Sequence, residues 1–325
     1  VNLTDGDMAC TGYMGSGAVS PAGYDTTVTF ILTEPSSITW MWTNLSEALS
    51  LEIFSDHGEV HPSPGLHYYT SGTTIPAYVE NDTVSVSEGI RYVLEGWEGT
   101  GSAAGSDTTS RVNITIRENS TLTWLWKRQY RFTVEAVLEL GRPHPSYGTH
   151  WYDEGTEIEG FNNLADRDYV CLGYDGFGSL NDGIDTFFVV TLLEPSGVEW
   201  LWIPSDSAVV LQVNSDFGEP YPSTGPHYFR IGTEIEAYVE DTIVGDTLTR
   251  HTLQGWYGRG SVPAEGDSTS ITFEIEEYSV ITWNWLTEHY ISLTYSGCGS
   301  YTPAQSGEGW YEERSEANIL SLIHI

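Results

Sequence analysis

The sequence predicts an all-β fold, arranged as a tandem array of small antiparallel β modules of about 80 residues. Three observations predict it. Thirty-four glycines and 14 prolines are spread along 325 residues and cut the chain into short segments. Between these breaks apolar and polar residues alternate with a period of two, as half-buried strands do. No segment shows the 3.6-residue apolar rhythm of a capped helix, so helix should be nearly absent.

The array is read from one half-unit that occurs four times, at 8–20, 92–104, 169–181 and 251–263, with the shared core Gly-aromatic-x-Gly-x-Gly-small. Its glycines predict a bulge and a sharp turn beside the aromatic residue, not a phosphate loop, because neither the spacing nor a following helix fits a nucleotide fingerprint. Each copy then runs through an alternating segment to Trp-x-Trp: Trp40/Trp42, Trp124/Trp126, Trp200/Trp202 and Trp283/Trp285, which together hold eight of the 12 tryptophans. A matching first half precedes three of them, from Leu51, Phe132 and Leu211, and another begins near Ile291.

Within a copy the elements follow in order. The segments from Leu51 and Leu211 open a strand that ends at Gly58 or Gly218, and Pro62, Pro64 or Pro222 carry an irregular turn. His67-Tyr68-Tyr69 leads to Gly72-Thr73, read as a hairpin, and 75–79 forms the next strand, with Pro76 favouring an edge. Residues 112–116, 188–192 and 271–275 are expected to pair with the Trp-x-Trp strands through a hairpin at Glu-x-Ser, where Glu34, Glu118, Glu194 and Glu277 recur. Short connections at 127–131 and 203–209 would join successive modules.

These boundaries divide the chain into 1–47, the C-terminal half of a repeat module; the modules 48–128, 129–204 and 205–287; 288–320, the N-terminal half of another; and 321–325, a tail foreign to the pattern. The chain reads as a fragment, and 1–7 and the residues after Glu308 are expected to be poorly ordered.

Twelve Lys+Arg against 46 Asp+Glu give a net charge of −34, a field that repels nucleic-acid phosphates and anionic headgroups. No apolar run approaches the roughly 18–20 residues that a membrane span needs. Three cysteines, Cys10, Cys171 and Cys298, lack metal spacing, and the first two stand where other copies have Leu94 and Leu253, as small core residues do. Alternate residues of a strand share a face, so each Trp-x-Trp places two indoles on one side. Their first expected role is core, their second an aromatic platform for sugar rings. The histidines at 67, 150 and 227 recur without partner ligands at zinc spacing and read as structural or surface residues. Asp25, Asp107, Asp185 and Asp267 read as turn acceptors, with calcium ligation as the alternative; no other cofactor is implied. GxSxG, HExxH, CxxC and Walker motifs are missing from the sequence, and no catalytic residue is assigned.

The order Gly-Thr, Gly-Trp-x-Gly-x-Gly-Ser, a threonine-rich strand and a closing aromatic strand resembles the divergent internalin B-repeat modules of large bacterial surface and secreted proteins, over nearly all of 1–320. The resemblance implies small all-β modules, an extracellular or cell-surface setting and a non-catalytic role as spacer, stalk or adhesion surface, with surface glycans or cell-surface proteins as partners. The sequence departs from the commoner family pattern in its doubled closing tryptophan and in Gly65-His67-Tyr68, Gly148-His150-Trp151 and Gly225-His227-Tyr228. The expected function is therefore a structural spacer or adhesin stalk; the alternative is a carbohydrate-binding array that uses exposed aromatic pairs.

Overall fold

The computed structural model describes residues 3–240, 243–292 and 309–316. Strand dominates these residues, and helix among them is confined to two 3₁₀ turns, Gly101–Ala103 and Ser205–Ser207. The fold is all-β. The chain separates into two compact units: Val1–Phe132 with His150–Glu157 and Thr191–Ser196, and Thr133–Thr149 with Ile158–Val190 and Gly197–Ile325.

In the second unit, residues 205–287 build two facing layers. The larger sheet runs in the order Gly225–Arg230, Ala208–Ser215, Ser279–Ile291, Thr249–Arg259, Ile243–Gly245; Glu265–Gly266 pairs with Thr249–Arg259, and Gly309–Glu312 with Ser279–Ile291. The smaller has the order Pro220–Tyr221, Thr233–Val239, Ser270–Ile275. The alternation that predicts these strands sorts their side chains: Ile235, Ala237 and Val239 turn inward while Glu234 and Glu236 face water. Between the layers lie Leu211, Val213, Ile235, Phe273, Ile275, Ile281, Trp256 and Trp283.

Residues 48–128 of the first unit repeat this plan. Leu49–Ser55 pairs antiparallel with Gly65–Tyr69 and parallel with Ser120–Glu135, which pairs antiparallel with Ile90–Thr100. Thr74–Val79 lies between Arg111–Thr115 and Val60–His61. The registers match residue for residue: Leu51 opposes His67 as Leu211 opposes His227, and Trp97 opposes Trp124 as Trp256 opposes Trp283.

Two expected hairpins are instead crossovers between layers. The turn at Gly72 joins Gly65–Tyr69 of one sheet to Thr74–Val79 of the other. Likewise Arg111–Thr115 pairs with Thr74–Val79 and not with the tryptophan strand. The reason is burial: Ile114 and Ile116 must oppose Leu122 and Trp124 across the core, and a flat hairpin would set them side by side in one sheet. The recurrent Ser of Glu-x-Ser fixes this crossover, since Ser120 Oγ donates to Glu118 O at 2.8 Å and accepts Ser102 N–H at 2.8 Å; Ser279 does the same with Glu277 and Ser261. Pro76 sits in a central strand, yet Val60–His61 reaches only Tyr78 and Val79, so at Pro76 the strand has a partner on one side alone.

Residues 127–131 are no loop but the middle of the continuous strand Ser120–Glu135; at 203–209 the chain does break, through Ser205–Ser207. Near the ends, where poor order is expected, Thr4–Asp5 pairs with Met8–Ala9 and Gly309–Glu312 with 288–291. Residues 1–2, 293–308 with Cys298, and 317–325 with the suspected foreign tail lie outside the described residues.

Candidate functional site

The glycine motif makes a bulge in all four copies, with the register shifting at Cys10/Gly12, Leu94/Gly96, Cys171/Gly173 and Leu253/Gly255. Gly96 has φ +136°, and a Cβ there would run into the backbone of Asp107 and Thr108. The bulge brings the next aromatic residue inward against the first tryptophan of the closing strand: Tyr13 meets Trp40 edge-on at 5.6 Å, and Tyr174 meets Trp200 at 5.5 Å. Cys10 and Cys171 are buried beside them, and burial pushes the Cys171 thiol up to about 11.

The two tryptophans of each motif have different environments. Trp124, Trp200 and Trp283 are 2 %, 1 % and 2 % exposed; Trp40 is half-buried. Trp42, Trp126, Trp202 and Trp285 are also half-buried, and the last three lie against a glycine of the first-strand loop. A Cβ at Gly58 would sit 2.6 Å from the Trp126 ring, at Gly218 2.7 Å from Trp285, and at Gly141 3.0 Å from Trp202. The indole N–H of Trp126 donates to Ser55 Oγ at 3.0 Å, and that of Trp285 to Ser215 Oγ at 2.9 Å. Rings seated this way act as pins between strand and loop.

The four aspartates grouped in the sequence do not share one position. Asp107 lies opposite Trp97, where Gly266 lies opposite Trp256. Asp267 follows Gly266, whereas Asp25 and Asp185 stand two residues past the glycine that faces Tyr13 or Tyr174. Asp107 accepts Thr109 N–H at 3.3 Å in a turn. Among the described residues no group of three or more His, Cys, Asp or Glu is placed to hold a metal ion.

Asp25 and Asp185 instead reach into the following sequence copy. Asp185 Oδ1 accepts Ser223 Oγ at 2.7 Å and lies 3.3 Å from His227 Nδ1; Asp25 Oδ1 accepts Ser63 Oγ at 3.4 Å and lies 3.8 Å from His67 Nδ1. Both histidines are 5 % exposed, and the Nε2–H of each donates to a carbonyl oxygen, Ser63 O at 2.6 Å or Ser223 O at 2.7 Å.

A second kind of contact joins the other pairs of neighbouring copies. Arg91 lies over the Trp151 ring at 4.4 Å, and Arg250 over Trp310 at 4.5 Å. Around Arg91, Lys127 bridges Glu95 at 2.9 Å and Asp153 at 3.1 Å, and Arg128 meets Glu154 at 3.3 Å; around Arg250, Glu288 accepts its Nε–H at 2.8 Å. Arg91, Lys127, Arg128 and Arg250 thus gather where one continuous strand passes from one copy into the next. The two contact types alternate along the chain, with a period near 160 residues.

Comparison with protein-family models, with curated proteins and with solved structures finds no match. No helix among the described residues is long and apolar enough to cross a membrane.

Sequence reasoning assigned the tryptophans and missed the Asp–Ser–His and Arg–Trp contacts, whose members belong to different copies. The recurrence of histidine at 67 and 227 and of aspartate at 25 and 185 was the available signal.

Proposed function

We propose that this chain is a segment of a structural spacer or adhesion stalk of a large secreted or cell-surface bacterial protein, related to the divergent internalin B-repeat modules and without catalytic activity. The observation that supports it is where the recurrent residues go. Glycine, tryptophan, serine, histidine and aspartate recur at positions used for bulges, core, crossovers and contacts between neighbouring copies. A repeat whose recurrent residues are consumed by packing and by linkage to its neighbours suits load and length more than turnover. The carbohydrate-binding alternative through Trp-x-Trp has weaker support, because in three copies the first indole is buried and the second lies against a loop glycine.

Single-molecule stretching of the intact chain tests the reading. A spacer unfolds in several separate events at substantial force; one collective event at low force would argue against it.

A further inference from the structure

One recess lies outside the repeat pattern. It has a volume of about 350 Å³ and is lined by Gln254, Trp256, Tyr257, Glu265, Asp267 and Asn284. The strands explain how these residues meet. Gln254 is the extra residue of the bulge, Asn284 opposes Gly255 on the closing strand, and Glu265 opposes Tyr257 on the other side. Trp256 and Trp283 turn into the core, so Tyr257 and Asn284, their neighbours, point to the opposite face, where Tyr257 is 53 % exposed.

The other copies carry different chemistry here. The position of Asn284, across from the bulge glycine, holds Met41, Leu125 and Leu201; that of Gln254 holds Thr11, Glu95 and Leu172; that of Tyr257 holds Met14, Glu98 and Asp175. A residue kept for folding would be expected to recur. This combination of two primary amides, two carboxylates and an open phenol ring occurs at this one copy.

We propose that this recess binds a neutral sugar residue of an oligosaccharide. A pyranose offers an apolar C–H face and a rim of hydroxyls. The Tyr257 ring suits the first; the Gln254 and Asn284 amides, which donate and accept, and the Asp267 and Glu265 carboxylates, which accept, suit the second. No lysine or arginine lines the recess, and two carboxylates within a chain of charge −34 repel uronates, sulfated sugars and phosphate. The volume lies at the small end of the range for small-molecule sites. The binding would add one recognition point to a spacer; it does not depend on the spacer reading, which stretching tests separately.

Calorimetric titration of the intact chain with cello-, xylo-, malto- and chito-oligosaccharides tests the site. The expected result is saturable binding of at least one of them at one site per chain, weakened at least tenfold by Tyr257→Ala and by Asn284→Leu. The second variant installs a side chain that the equivalent position already tolerates at 125 and 201, so its folding is not in question, and circular dichroism checks both. No binding by any of these sugars at millimolar concentration, binding undiminished in both variants, or a preference for polyuronates would overturn the proposal.

Discussion

The Asp185 carboxylate lies 3.3 Å from Nδ1 of the buried His227 and accepts the Ser223 hydroxyl at 2.7 Å, tying one sequence copy to the next. The same three residue types meet at Asp25, Ser63 and His67 with longer distances, 3.4 Å to the hydroxyl and 3.8 Å to the ring. Removing the carboxylate breaks the hydrogen bond from the exposed serine hydroxyl and takes the negative charge from beside the buried ring, which costs about 1 kcal/mol. Asp185→Ala should therefore lower the stability of the intact chain by that amount in urea unfolding, and Asp25→Ala by less. Equal effects, or none, would show that the contacts do not hold the copies together.

The two tryptophans of one motif should respond differently to substitution. Trp283→Ala empties a fully enclosed site and should cost about 3–5 kcal/mol. Trp285→Phe keeps most of the ring against Gly218 and loses the bond to Ser215 Oγ, a loss of about 1 kcal/mol. Urea unfolding of the two variants gives the ranking directly.

The bulge glycines should tolerate nothing larger. Gly255→Ala, at φ +115°, drives a Cβ into the backbone of Gly266 and Asp267, so it should destabilise by well over about 1 kcal/mol. Gly105→Ala also starts from a positive φ, +129°, but meets open space and should cost about 1 kcal/mol. Thermal melting of the pair separates steric from conformational strain.

Acid should loosen the contact between Glu288 and Arg250. The Arg250 guanidinium beside it holds the Glu288 carboxyl below the usual range, so its stabilisation is present at neutral pH and is lost as pH falls through and below the ordinary carboxylate values. Because acid also relieves the −34 net charge, the informative comparison is between wild type and Glu288→Gln, whose melting temperatures should converge as pH drops. At the alkaline end, burial and nearby carboxylates push the Tyr174 hydroxyl up to about 12. Unfolding exposes it to ionise first, so stability should fall as pH rises past about 10. Differential scanning calorimetry from pH 3 to 11 follows both limbs.

Local chemistry was legible in the sequence, and long-range pairing was not. Alternation and glycine spacing gave the strands and the bulges, because both follow from residues close in the chain. The turn at Glu118 misled because a short Glu-x-Ser connection suits a hairpin and a crossover equally; what decides is whether Ile114 and Leu122 face each other across a core, which depends on the second sheet. The motif also presented Trp124 and Trp126 as equals, and only the loop glycine at 58 distinguishes them. Arg91 and Trp151 carry no mutual signal at all, since their contact depends on a strand running unbroken between two copies. Asn284 was visible as the odd residue among Met41, Leu125 and Leu201, but its neighbours in the recess come together only through the bulge.

The central claim is that these copies form a spacer, and small-angle X-ray scattering of the intact chain tests it most directly. A compact globule of this length has a radius of gyration of about 20 Å. The spacer account predicts a value well above that, with the asymmetric distance distribution of an extended particle. A value near 20 Å with a symmetric distribution would contradict it.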